Sequence, residues 1–491
     1  MPEVHDLVML LKSRMPIVVI ESREELRVID LLARVADKLQ IPLYKWNVAE
    51  GMSRVGHGEQ HGANRDPNEV LRHIWTLKLA GIYLLLDYHP YLDDPVHIRI
   101  IKEVCLHAET YRQTLVFLSH QIRMPAELDH LAGRFELRLP DEAALTRIVS
   151  RVAKQWMVEK QGRQVAAHSD AFKMLVKNLQ GLSATEAARL ARTAIYDDGA
   201  ITADDVPAIT RAKYELLNQD DVLSFEYDTA HLSDVGGLQR FKHWLSEREA
   251  VFKGDHSVPG LEPPKGIMLL GVQGGGKSLA AKAVAGTWRV PLLRLDFGIL
   301  YDKYVGETER RTREALKMAE IMVPCVLWMD EIEKGITTDS SEHGTSRRVL
   351  GTLLTWMAER KASVFIVATA NDIKTLPPEL LRKGRLDEVF FVDLPDTETR
   401  KSIFSIHLAK RDLSPDAFDL EALAEASSGF SGSEIEQAVV SSLYSVLRES
   451  GRLDTQHVLE EIRRTRPLSV VMAEHIAYLR AWAKERTVPA H

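Results

Sequence analysis

Apolar and polar positions alternate with two different periods over the first 140 residues. Pro16 to Glu21 (PIVVIE) is a continuous apolar run, the pattern of a strand buried on both faces. Leu26, Ile29, Leu32, Ala33, Ala36 and Leu39 then recur at helical spacing. Ile41-Pro42-Leu43-Tyr44 opens a second strand, and the glycines and polar residues from Gly51 to Pro67 read as a long loop. The pattern continues with a helix over Glu69 to Leu79, a strand over Ile82 to Asp87 and a helix over Val96 to Thr110. Strands over Thr114 to Ser119 and Phe135 to Leu139 follow. Such alternation predicts a parallel sheet with helices on its faces. Helical stripes over Glu142 to Val158, Ala171 to Leu179, Ala184 to Tyr196 and Asp205 to Leu217 predict a small all-helical domain behind it. Asn218 to His231 is polar and acidic and reads as a linker.

The second half repeats the first at a nearly constant offset. Ile17 matches Ile267, Ile41-Pro42-Leu43 matches Val290-Pro291-Leu292, and LPDEAALTRIV from Leu139 matches LPDTETRKSIF from Leu394. QGLSATE from Gln180 matches SGFSGSE from Ser428, and LLLD ending at Asp87 matches VLWMD ending at Asp330. One α/β-plus-helical module therefore occurs twice. The expected boundaries are 1–140 and 141–217 for the first copy, 218–232 for the linker, and 233–395 and 396–491 for the second.

The two copies differ where chemistry would sit. In the second, the apolar run Ile267 to Leu270 leads into Gly271-Val272-Gln273-Gly274-Gly275-Gly276-Lys277-Ser278, and Leu279 to Ala285 suit a helix. Strand, glycine loop and helix N-terminus in that order form a phosphate cradle. The glycines let consecutive N–H groups face one anion, Lys277 reaches the outer phosphates, and Ser278 offers its hydroxyl to Mg²⁺. Asp330, at the tip of the strand Val326 to Met329, is suited to the metal shell, and Glu331 to polarising a water. Asn371 follows the apolar strand Val364 to Ala370 and can orient that water. Arg382 and Arg385, one helix further on, make catalytic sense as fingers inserted into a neighbour's site. In the first copy the loop positions hold Glu21, Ser22, Arg23, Glu24, Glu25 and Leu26, whose carboxylates would repel a triphosphate. Aligned on Asp330, Asp87 is followed by Tyr88 where the second copy has Glu331. The first module is expected to serve assembly or partner docking.

Composition narrows the classes. The chain has 491 residues, 45% of them hydrophobic and 27% charged, with a net charge of −7, so no general nucleic-acid surface is marked. Its two cysteines, Cys105 and Cys325, lie in apolar surroundings, as reduced and buried thiols would in a cytoplasmic protein. The N-terminus lacks signal-peptide character, and no apolar run approaches the roughly 20 residues of a membrane span. His57 and His61, with Glu59 between them, carry metal-ligating atoms, but without helical context they read as a solvated loop. After Leu447, helices are expected over Val458 to Thr465 and Pro467 to Trp482, with a frayed end beyond.

Together these motifs resemble the AAA ATPases, in the branch with an LLRxGRxD-like segment, here Leu380 to Asp387. GVQGGGKS is similar to Walker A, VLWMDE to Walker B, Asn371 to sensor 1, and Arg382 and Arg385 to the paired arginine fingers. The layout as a whole resembles the ATPase family of plastid and cyanobacterial genomes that carries a degenerate first module. The implied fold is α/β: a P-loop AAA+ parallel αβα sheet plus helical lid, preceded by a degenerate copy of the same architecture. The resemblance implies that the backbone around Gly236, in Asp234-Val235-Gly236-Gly237-Leu238, lies near adenine, and that Gly432 begins a lid helix closing over the base. It implies ATP and Mg²⁺ as ligands, hydrolysis between neighbouring subunits of a homo-hexamer, and a pore loop at Tyr304-Val305 gripping a protein partner. A nucleotide-gated scaffold or switch without threading is the alternative. A nucleic-acid grip by Arg347 and Arg348 is disfavoured by the acids around them.

Overall fold

The computed structural model describes residues 2–56, 64–202, 205–217, 222–254, 260–301, 307–335, 343–374, 376–382, 384–449 and 452–491. His57, Glu59, His61, Tyr304 and Val305 lie outside the described residues. Contacts divide the chain into two units, one of Met1–Val152 with Leu182–Arg189, the other of Ala153–Gly181 with Leu190–His491.

The first unit is built on six strands: β1 (Ile17–Glu21), β2 (Leu43–Asn47), β3 (Gly51–Arg54), β4 (Gly81–Leu86), β5 (Gln113–Ser119) and β6 (Ala132–Phe135). Their order is β3-β2-β4-β5-β1-β6, parallel except for the β2–β3 pair. Period-2 alternation divides each strand between two cores: Ile17 and Val19 of β1 pack on one face, Val18 and Ile20 on the other. The helix Glu25–Leu39 buries Val28, Leu31, Leu32, Val35 and Ala36, so its stripe is rotated from the expected one and Leu26 stands 81% exposed. Two elements correct the sequence reading. Gly51–Arg54, expected as loop, is an edge strand, and the last strand ends at Phe135, where it was expected to begin.

In the second unit the two-residue strands β7 (Ala166–Ala167) and β8 (Ala200–Ile201) pair alone. The main sheet holds β9 (Leu223–Phe225), β10 (Gly266–Gly271), β11 (Leu292–Leu295), β12 (Cys325–Met329), β13 (Val364–Ala370), β14 (Glu388–Val392) and β15 (Val488–Pro489), ordered β15-β14-β10-β13-β12-β11-β9. Leaving out the edge additions, β11-β12-β13-β10-β14 reproduces β2-β4-β5-β1-β6 strand for strand, so the repeat is architectural. The expected linker instead supplies β9, antiparallel to β11, and the end expected to fray supplies β15, with Ala490 fully buried.

Of the helical stretch expected over 141–217, residues up to 152 and 182–189 group with the first sheet, while 153–181 and 190–217 group with the second unit. Lys213 shows how. Its amine, 1% exposed, donates to Asn178 O at 2.8 Å, Gln180 O at 2.7 Å and Ile321 O at 2.6 Å. It thereby satisfies carbonyls at the end of the helix Ser169–Asn178 and at the end of Glu307–Ile321. Burial lowers this amine to about 8. Both cysteines are free and buried, and burial raises each thiol to about 12. Among the described residues no helix is long and apolar enough to cross a membrane.

The strand-to-helix loop of the first unit differs from that of the second. Only Ser22, Arg23 and Glu24 separate β1 from its helix, against Val272 to Gly276 after β10, so the loop is too short to wrap an anion. Glu24 turns inward, 9% exposed. Its Oε1 accepts from Thr185 N at 3.0 Å and Thr185 Oγ1 at 3.2 Å, and its Oε2 from Arg27 at 2.7 Å. Thr185 opens a helix whose Ser183–Glu186 capping box matches Ser431–Glu434 of the second copy. An internal carboxylate thus binds the lid-like helix start in the first module.

The match of Asp87 to Asp330 also needs correcting. The left-handed turn residue after the third core strand is Asp87 (φ 50°) in one copy and Glu331 (φ 48°) in the other. Ser119 Oγ donates to Asp87 at 2.8 Å, much as Asn371 Nδ2 donates to Glu331 at 3.0 Å. Leu86, buried in β4, then stands where Asp330 would hold a metal. Replacing Glu24 with Ala should lower the first unit's stability by about 2 kcal/mol, the scale of lost charge-assisted hydrogen bonds, read by thermal or denaturant unfolding. An unchanged unfolding midpoint would contradict this role.

Candidate functional site

The cleft opens at the C-terminal ends of β10, β12 and β13, which the parallel order sets side by side. Its volume is about 340 Å³, and its walls come from the glycine loop, the Asp330–Glu331 turn, the base turn at Asp234–Gly236 and the lid. Gly271 passes so close to β14 that a Cβ there would lie 2.0 Å from Val392 O. Gly274 has φ +74°, and a Cβ would meet Ser433 Oγ at 2.2 Å; only glycine lets the lid helix approach. Ser433 N donates to Gly274 O at 3.2 Å, joining lid to loop.

Gln273, Gly274, Gly275, Gly276, Lys277, Ser278 and Leu279 line the cleft. Gly271 and Val272 lie beneath it and offer their carbonyls to Lys277 Nζ at 3.0 and 2.8 Å. Lys277 is 6% exposed, and burial lowers its amine from 10.5 to about 8 against the opposing pull of Glu333, Asp330 and Glu331. A buried amine at a helix N-terminus, amid open amides, is complementary to an anion of several charges.

Opposite the loop, Asp330 Oδ1 accepts from Ser278 Oγ at 3.2 Å and from Thr369 Oγ1 at 2.7 Å. Thr369 Oγ1 in turn accepts from Glu331 N at 3.0 Å. Glu331 is held by Asn371 Nδ2 at 3.0 Å and by an ion pair with Lys334. Asn371 N donates to Glu333 Oε1 at 2.9 Å, and burial raises the Glu333 carboxyl. Ser278 and Asp330 are hard oxygen donors of the kind Mg²⁺ takes, and they face the anion cradle. At the other end, Gly236 packs on Ile403, and Ile406, His407 and Thr399 complete a mostly apolar wall with Gly432.

Arg382 is exposed and Arg385 half-buried, its guanidinium donating to Glu379 O; neither lines this cleft. Sequence reasoning missed Thr369, Asp393, His407 and His491, all of which line it. Thr399, Ile403 and His407 do carry a signal, the spacing of one face of the helix Thr397–Ala409.

A glycine-loop cleft on a repeated parallel sheet defines the P-loop class. The chain belongs to the AAA ATPase family. Residues 267–394 match the model of the ATPase family associated with various cellular activities, and 417–461 the AAA+ lid domain. Residues 4–137 and 143–220 match the N-terminal and second domains of SpoVK-like AAA ATPases. The chain is 35% identical over 486 residues to the AAA domain-containing protein ycf46 of Guillardia theta, covering 98% of this chain and 94% of that one. It is 36% identical to the ycf46 protein of Pyropia yezoensis, covering 97% of each. It is also 36% identical over 232 residues to the proteasome-activating nucleotidase of Aeropyrum pernix, 45% of this chain and 56% of that one.

Lys277 gives a pH dependence with a definite sign. A triphosphate favours the charged amine, so binding takes up a proton where the amine is otherwise half-neutral, near pH 8. ATP affinity should therefore fall as pH rises from 7 to 9.5, by calorimetry in buffers of different ionisation enthalpy. Between about 8 and 10.5 the unfolded chain holds more of this proton, so the destabilising effect of burying Lys277 shrinks as pH rises. Affinity that stays flat across this range would rule out the assignment.

Proposed function

We propose that the chain is a Mg²⁺-dependent ATPase that hydrolyses ATP between neighbouring subunits of a homo-hexameric ring and uses the energy to remodel a protein partner. The observation that carries the reading is the Ser278–Asp330–Thr369–Glu331–Asn371 network facing the Lys277 loop. Lys277 and the loop amides bind the phosphates. Ser278 and Asp330 would hold the Mg²⁺, which would supply charge neutralisation to the bound phosphates. Glu331 accepts the proton of the attacking water, and Asn371 fixes the orientation of that carboxylate. Arg382 and Arg385, which do not line their own cleft, complete the neighbour's. Tyr304 and Val305 grip an extended polypeptide in the ring pore, a role carried by the family resemblance. The first module, without a phosphate loop or a metal carboxylate, serves assembly or docking, and the protein works in the cytoplasm.

A second reading is an ATP-gated scaffold that hydrolyses slowly and threads nothing. It is favoured by the ion pair with Lys334, which competes with a water for the Glu331 carboxylate. Unfolding of a folded fusion partner during turnover separates the two.

Glu331→Gln should bind ATP normally while turnover falls by about 10² or more, measured by phosphate release. A fully active variant would remove Glu331 as the base. Arg382→Ala or Arg385→Ala should lower turnover about 10³-fold with nucleotide still bound. Mixing Arg385→Ala with Lys277→Ala subunits should restore part of the activity, because intact cradles then meet intact fingers. No recovery at any mixing ratio would exclude action in trans.

A further inference from the structure

Past the lid, Leu468–Val471 and Ala473–Ala483 form two helices, and β15 then closes the edge of the sheet. This stretch meets the cleft lining at two points and the elements beside it at two more. Leu468 N donates to Glu434 Oε1 at 2.7 Å, in the capping box that starts the lid helix. His475 Nε2 donates to Asn371 O at 3.3 Å. Arg480 Nε reaches both oxygens of Asp393, at 3.0 and 2.8 Å, on the short crossing from β14 to the lid. β15 delivers His491, whose Nδ1 accepts from Leu238 N at 3.4 Å and lies 2.9 Å from where a Gly237 Cβ would stand. Ala490 anchors this end through Ala490 N to Phe391 O at 3.0 Å and Phe241 N to Ala490 O at 3.2 Å.

We propose that residues 468–491 are a strap that sets the geometry of the ATP site, with His475 the positioning residue for Asn371 and His491 that for the base turn. The proposal rests on reading the cleft as a site of ATP hydrolysis. Asn371 has three ties: its N–H to Glu333, its amide to Glu331, and its carbonyl to His475. The first two hold the amide against the water-activating carboxylate; the third stops the turn after β13 from rotating. At the opposite end, Gly237 is left-handed (φ +66°), so the base turn has little stiffness of its own, and the imidazole fixes it. Burial lowers the His491 pKa below 6.5, which keeps the Nδ1 lone pair free for Leu238 N–H at neutral pH. The same strap is tied to the lid through Glu434, so base turn, sensor turn and lid are held in one register.

Because the two histidines act at opposite ends of the nucleotide, their loss should separate kcat from binding. In the full chain, His475→Ala should lower kcat about fivefold with the Kd of a fluorescent ADP analogue nearly unchanged, the scale of one hydrogen bond. His475→Gln, whose side-chain amide reaches the same carbonyl, should recover kcat. His491→Ala should raise that Kd about fivefold, with kcat changing less, and His491→Asn, which places an acceptor where Nδ1 stands, should recover binding. Both alanine variants losing kcat and affinity by the same factor, or the Gln and Asn variants behaving like Ala, would overturn the proposal in favour of a merely stabilising segment. Should the wild-type chain bind nucleotide without turnover, the hydrolysis reading alone fails. The His491 arm then decides the strap together with hydrogen exchange at residues 371–374, which must quicken in His475→Ala.

Discussion

Thr369 Oγ1 stands between two neighbouring carboxylate residues, donating to Asp330 and accepting from the backbone of Glu331. One hydroxyl can do this because β12 and β13 are hydrogen-bonded in register, Met329 beside Ala368, so the tips of both strands emerge together. With Thr369 only 1% exposed, its bonds face little competition from water and the two carboxylates are held divergent. Asp330 turns toward Ser278, and Glu331 turns toward Asn371. The rest of the cleft inherits this division, one carboxylate facing the glycine loop and the other the turn after β13. Glu331 takes a left-handed turn conformation to satisfy it, the kind of backbone cost that persists where surrounding contacts over-determine it.

The two copies of the module show how little of the fold the chemistry requires. Both have the same five-strand order and the same Ser–Glu capping box at the start of the following helix. Among the differences that separate them are two loop residues, a buried leucine in place of an aspartate, and one inward glutamate. In the first module Glu24 makes bonds to Thr185 within its own chain, so the helix start is fastened without any ligand. In the second the helix start meets the loop through Ser433 N and Gly274 O, at the edge of an open cleft.

Much of the site was legible in the sequence because it is local. GVQGGGKS after an apolar strand, Asp330-Glu331 at a strand tip and Asn371 after the next strand each declare themselves within a dozen residues. The repeat was legible too, since pairs such as LPDEAALTRIV and LPDTETRKSIF preserve both pattern and composition. Short edge strands were not. Gly51–Arg54 and Val488–Pro489 are four and two residues long, too short for a period, and exist because a neighbouring edge offers hydrogen bonds. The Asp87 match failed for a related reason: identity of residue type outweighed a one-residue shift that only the backbone turn reveals.

The sequence by itself determined the order of the core strands and their helices, the glycine loop and the chemical identity of the acid pair, because those follow from periodicity and from residue types at short spacing. Only the tertiary structure decided which strands neighbour one another, and hence that Thr369 would meet Asp330 across 39 residues and His475 would meet Asn371 across 104. It also decided that residues 153–181 and 190–217 group with the second unit while 182–189 group with the first, and that the last residues close a sheet. These are outcomes of packing: a buried amine such as Lys213, or a free strand edge, is satisfied by whichever carbonyl or N–H the fold brings near, and sequence distance does not enter that choice.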